Sequence, residues 1–473
     1  TEGESIPDRV LARQVTLLRY AFLDNQMDEA TIQELTEREA AIANTFNTFR
    51  AELNGRKVTD NELKDILRLS DDPQLRRQAW EASKQIGCQV AGPLLGLVEL
   101  RNRIARESGF DDYYQMHFTL QELDEREVFG VFDVLDRQLS SIYQAYKSRL
   151  DAQLAKRFGI REEELRPWYY SDPFFQEAPA ADADLQQLLA DALAGRSIVD
   201  MVRHFFNAIG LGVDDVLARS DLYEREGKQQ HAYCIHIDRK GDIRVLANIQ
   251  PNHYWTAAML HECGHAVYEK HLEPSLPYPL RQPSHSLLTE AIANLMGRLA
   301  SDVNWLSVYA GIPESRANVL ADQLRWQITG QLLITARWGL VMTHFERTLY
   351  RGPKRDLSQV WWDLEEHFQR VPRPEGRNEP DWAAKIHLST VPVYYHNYLL
   401  GELAASQIQH TLQTNVLADA VDAGQRYVTD PLVGQYLIES IFQPGALRHW
   451  QEALEFATGE RLRPDYFAKQ LKI

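Results

Sequence analysis

Apolar residues recur every three to four positions through most of this chain, the spacing that keeps them on one face of an α-helix. From Asp124 to Phe158, Val128, Phe129, Phe132, Leu135 and Leu139 fall on a single stripe. Similar patterns run from Asp28 to Leu53, from Asp72-Pro73 through Trp80 and Leu94 to Ile104, from Ser315 to Leu349 and from Asp356 to Gln369. A last pair of helices is split by Gln443-Pro-Gly445. Each run opens or closes on a residue suited to a helix end, such as Asp28 or Asp72-Pro73. Period-two alternation is concentrated in one place: His231–Asp238 and Ile243–Ile249 flank Arg239-Lys-Gly-Asp242, which predicts a hairpin with glycine in its turn. Residues 166–175, Arg-Pro-Trp-Tyr-Tyr-Ser-Asp-Pro-Phe-Phe, are too proline-rich for either pattern and read as an aromatic loop. The expectation is a mainly α fold in one continuous body, residues 1–473, with a short β-hairpin.

Composition narrows the function. With 473 residues, 44% of them hydrophobic, the chain can bury a large core. A net charge of −16 lacks the basic footprint that nucleic acid demands, so no nucleic-acid partner is expected. No run of about 18 apolar residues is present, so no membrane span is expected either. Three widely spaced cysteines, Cys88, Cys234 and Cys263, do not suggest a disulfide framework and fit a reducing compartment. Residues 1–20 lack a signal peptide's charged start and apolar core. A cytoplasmic location is the expectation, with a periplasmic or secreted one, after removal of a signal, as the alternative.

The chemistry sits just after the predicted hairpin. His261-Glu-Cys-Gly-His265 is an H-E-x-x-H motif in a proline-free stretch, roughly Asn252 to Leu272, that predicts a helix. Histidines four apart share a helix face and can grip one zinc ion, while Glu262 stands off the metal as a base. A third ligand is needed. Leu287–Arg298 has helical spacing, and places Glu290 where a core residue would otherwise stand, with Asn294 one turn along. A buried carboxylate there must be paired or metal-bound. Glu269 competes but shares the helix of the histidines, and Glu273 lies among Leu272, Pro274 and Pro277 in a loop. Farther on, Pro392 can open a helix on which Tyr395 and Tyr398, three apart, share a face.

Taken in order, Cys263-Gly264 within the H-E-x-G-H helix, Glu290-Ala-Ile-Ala-Asn294, Trp361-Trp362, Val371-Pro-Arg373, Lys385-Ile-His387 and the paired tyrosines resemble the angiotensin-converting enzyme family of gluzincin peptidases. The likeness is most specific from about residue 230 to 400. It implies a helical ellipsoid split by a deep cleft, with zinc on the floor and a short sheet alongside. Residues 1–165 would form the helical lid and first half of the cleft, 230–410 the zinc and substrate-binding core, and 411–473 the C-terminal helices. It also implies one zinc per chain held by His261, His265 and Glu290, with Glu262 as base. Lys385 and Tyr395 match holders of the substrate's C-terminal carboxylate, His387 and Tyr398 the pair that binds substrate backbone and oxyanion, and His236 a further backbone donor. Tyr170 stands near the expected place of a carboxylate-binding glutamine. Asn294 replaces an aspartate that orients a zinc histidine, Asn397 replaces the arginine tied to chloride activation, and Cys234 has no disulfide partner. The implied activity is release of C-terminal dipeptides from an oligopeptide substrate. Two other uses of the same metal site stay open: an endo-oligopeptidase of the oligoendopeptidase or thimet type, and hydrolysis of non-peptide amides.

Overall fold

The computed structural model describes residues 6–179, 183–229, 231–418 and 422–471. It is mainly helical, with two small antiparallel hairpins. The chain divides into two compact units, each assembled from separate segments. One comprises residues 1–20, 181–328 and 400–472; the other comprises 21–180, 329–399 and the final residue. No described helix is long and apolar enough to cross a membrane.

The second unit is built on two long helices, α1 (Pro73–Glu107) and α2 (Glu125–Phe158). Asp72 and Asp124 cap them by accepting from backbone N–H groups of their first turns, and Gly159 ends α2 in the left-handed region. The stripe Val128, Phe129, Phe132, Leu135 and Leu139 is buried, as its spacing predicts. Trp80, Trp361 and Trp362 fill the same unit's core.

One predicted helix ends early. Asp28 caps a helix over Glu29–Thr48, but Ala51–Leu53 (β1) pairs with Arg56–Val58 (β2) instead of extending it. Asn54 and Gly55 take φ of 53° and 75° between them. Asn-Gly accepts that left-handed pair readily, and the tight hairpin it makes overrides the helical spacing upstream.

In the first unit, β3 (Tyr233–His236) pairs with β4 (Ile243–Leu246), with Cys234 opposite Val245. The far side of β4 is taken by Asp221, whose N–H and C=O bond Val245 and Ala247, so β3 is the outer strand. Helix α3 (His253–Lys270) follows, capped by Asn252 through the backbone N–H of Trp255. Helix α4 (Ser286–Gly297) comes next. The boundary between the units falls inside the two remaining helices that matter for the chemistry, α5 (Glu314–Arg351) and α6 (Tyr395–Thr411).

Candidate active site

Helix α3 carries His261 and His265 on one face, with their rings 4.9 Å apart and nearly perpendicular. For Glu290 to reach them, α4 must approach closely, and Gly264 is what permits this. A Cβ at that position would sit 2.8 Å from the Cα of Ala293 and 3.2 Å from the carbonyl oxygen of Ile292. The helix behind Glu290 is crowded in the same way, since a Cβ on Gly401 would lie 3.0 Å from the Cβ of Glu290. Glycine in the motif is therefore a packing requirement, not merely a tolerated helix weakness.

The outcome is a cluster in which one donor atom from each of His261, His265 and Glu290 lies within 4.8 Å of the others. The histidine Nε2 atoms stand 3.8 and 4.0 Å from Glu290 Oε2. Burial lowers the imidazole pKa values to about 4 for His261 and about 3 for His265, so both rings are neutral, as metal ligands must be. His265 turns its Nδ1 onto the hydroxyl of Thr289 at 2.7 Å, which leaves Nε2 for the metal. For this histidine the orienting partner is Thr289 rather than Asn294. Two neutral imidazoles and a carboxylate fit zinc and leave room in a tetrahedral shell for a further ligand.

Glu262 is buried and turns towards the hairpin, where it accepts the backbone N–H of Cys234. Burial, reinforced by the charge on Glu290, raises its pKa to about 7. A carboxyl of that kind exchanges protons near neutrality. It also lies against β3, the outer strand of its hairpin.

The chain matches the family profile described as angiotensin-converting enzyme over residues 2–166 and 172–464. It belongs to the angiotensin-converting enzyme family. A relative bearing that name from Haematobia irritans exigua is 20% identical over 453 residues, spanning 85% of this chain and 70% of its own. The family comprises zinc metallopeptidases, so the chain is a zinc peptidase that acts on peptides. The cluster of two histidines and a glutamate is compatible with binding that zinc.

Of the other residues implied by the family resemblance, Lys385, His387, Tyr395 and Tyr398 lie in the second unit and His236 in the first. Lys385 is 6% exposed and donates to Gln176 Oε1 at 2.6 Å. Its ammonium also stands 5.3 Å from the ring centres of Phe174 and Trp338 and 5.6 Å from that of Tyr395. Burial draws its pKa down to about 7, partly offset by the charge on Asp172. Tyr395 accepts from Trp338 Nε1 at 3.1 Å, and its ring packs 5.1 Å from His387 and 5.4 Å from Tyr398. Burial keeps His387 neutral, with a pKa of about 4, and its Nδ1 is shielded from solvent without a protein partner.

Tyr170, His236 and Asn397 each have defined partners within the protein. Tyr170 is not near Lys385's amide partner; it is fully buried and bonds Lys147 and Asp151 at 2.6 and 3.0 Å. Gln176 is the amide on Lys385, and its only sequence signal is its position directly after the aromatic loop. His236 has both ring nitrogens engaged, Nδ1 with Glu269 at 2.8 Å and Nε2 accepting from Gly241 at 3.0 Å, so in this arrangement it directs no N–H outwards. Asn397, at the position tied to chloride, is fully buried and donates to Gln121 Oε1 at 2.7 Å. All three cysteines are free thiols, Cys234 among them.

Proposed function

We propose that the chain releases dipeptides from the C-terminal ends of oligopeptides. The observation that carries this reading is the state of Lys385. Removing an ammonium from water is costly unless an anion compensates, yet no direct ion pair to a described carboxylate holds Lys385, and Asp172 and Glu177 offset its burial only in part. Aromatic faces and one neutral amide hold it in place, which suits a cation whose counter-ion arrives with the substrate. A free C-terminal carboxylate is the anion that every linear peptide carries. Lys385, Gln176 and Tyr395 would hold it.

Bound zinc supplies Lewis acidity for attack on the scissile carbonyl. Glu262 takes the proton from the attacking water and passes it to the leaving amine nitrogen. Tyr398 donates its hydroxyl to the oxyanion, and His387 steadies the substrate backbone through its ring. The outer edge of β3, beside Glu262, offers backbone groups to an extended peptide. His236 enters this scheme only if its bonds to Glu269 and Gly241 are exchanged for substrate.

The test pairs a free-acid peptide with its C-terminal amide. The free acid should be cleaved two residues from its end and strongly preferred, and Lys385→Ala should abolish the preference by slowing acid cleavage about 10- to 100-fold, the worth of a charge-assisted hydrogen bond. Equal internal cleavage of both peptides would instead indicate an endo-oligopeptidase.

A further inference from the structure

Val393 adopts a φ of 53° and is the one β-branched residue among the described positions with positive φ. In that region an L-residue's Cβ crowds its own backbone, and branching at Cβ worsens the conflict, so such a conformation persists only where its surroundings impose it. The surroundings here are specific. The buried carboxyl of Glu346, on α5, accepts the Val393 N–H at 2.7 Å. The side-chain amide of Gln121 donates to the Val393 carbonyl oxygen at 3.0 Å. The oxygen of the same amide accepts from Asn397 at 2.7 Å and lies 3.3 Å from His396 Nε2. Gln121 thus ties the left-handed residue to the first turn of α6.

That turn matters because of what it carries. Val393 precedes Tyr395 by two residues and Tyr398 by five, and α6 begins at Tyr395. The direction in which the chain leaves Val393 therefore fixes where α6 starts and which way its first turn faces. Trp338, eight residues before Glu346 on α5, steadies Tyr395 from the same helix.

We propose that Glu346 and Gln121 are positioning residues for Tyr398, clamping Val393 in a left-handed turn that aims the Tyr398 hydroxyl. The inference rests on the reading of Tyr398 as the oxyanion donor. Burial raises the Glu346 pKa to about 8, so near neutrality the carboxyl is an uncharged acceptor that a glutamine can imitate.

Steady-state kinetics of the zinc-loaded full chain on one oligopeptide tests this. Glu346→Leu should lower kcat about ten- to a hundredfold, the scale of one released backbone strain. Glu346→Gln should leave kcat nearly unchanged. Adding Val393→Gly to Glu346→Leu should restore most of the loss, because glycine holds a left-handed φ without support. In a Tyr398→Phe background, Glu346→Leu should have little further effect, since the group it aims has gone. Gln121→Leu, at a less buried position, should follow the same pattern and serves if Glu346→Leu does not fold. Retained kcat in both clamp variants overturns the inference, as do losses that multiply with Tyr398→Phe and ignore Val393→Gly. Unchanged kcat in Tyr398→Phe alone would remove the oxyanion reading and the inference with it. A crippled Tyr398→Phe beside intact clamp variants removes only the inference.

Discussion

The zinc helices and the stretch from Lys385 to Tyr398 are built by opposite means. In the first, regular geometry does the placing: His261 and His265 share a face because they are four apart, and Glu290 arrives on a second helix that Gly264 allows to close in. In the second, little is regular. Lys385 follows a short 3-10 turn, Val393 is left-handed, and the groups that fix the segment come from distant positions: Gln121, Gln176, Trp338 and Glu346. Their electrostatics differ too. Burial makes the histidines of the first region neutral and so fit to bind a cation, whereas in the second it confines a cation fit to bind an anion. A metal-binding cluster can thus be written into two helices, while the setting of the buried Lys385 ammonium needs partners gathered from across a unit.

The largest effects should come from the helical region. Replacing His261, His265 or Glu290 with alanine should abolish both zinc binding and activity, whereas Glu262→Gln should keep the metal and lose about 10²- to 10⁴-fold in turnover. Metal analysis alongside kinetics separates the two roles, and full zinc in Glu290→Ala would remove that ligand. Gly264→Ala should act next, because its methyl would overlap backbone rather than a side chain that could move aside. It should destabilise the fold by about 1–3 kcal/mol and weaken zinc binding, although it touches no ligand. Unaltered melting and zinc affinity would show that the helices are not held at this contact.

The smallest and most diagnostic effect concerns pH in the irregular region. With a pKa of about 7, Lys385 is charged below that pH and loses its proton above it. The preference for a free-acid peptide over its amide should therefore be full on the acid side and shrink as pH rises through about 7. Taking the ratio of acid to amide cancels any titration at Glu262 or the metal. Asp172 and Glu177 favour the Lys385 cation, and Lys84 and Lys64 oppose it, so Asp172→Asn should move the fall to lower pH. A ratio independent of pH would mean that Lys385 keeps its proton throughout.

Much of the helical region was legible from order along the chain. The i, i+4 histidines, the offset Glu262 and the misplaced carboxylate at Glu290 are local signals, because a helix converts spacing into direction. The caps at Asp28, Asp72, Asp124 and Asn252 were equally readable, since a cap bonds its own first turn. Even the early end of the helix after Asp28 had a local sign, Asn54-Gly55, outweighed in reading by the apolar spacing around it.

What the sequence determined by itself was therefore the mainly helical fold class, the metal-binding helix and the chemistry of a zinc peptidase. Tertiary structure alone decided that Thr289 orients His265, that Gln176 and not Tyr170 meets Lys385, that His236 is tied to Glu269, and that Glu346 and Gln121 grip Val393. Each of these is a pairing between side chains or backbone groups from different elements, at separations from 24 to 272 residues. Helix and hairpin periodicity relates neighbours to one another. It carries no information on which distant group a folded chain will bring within 3 Å.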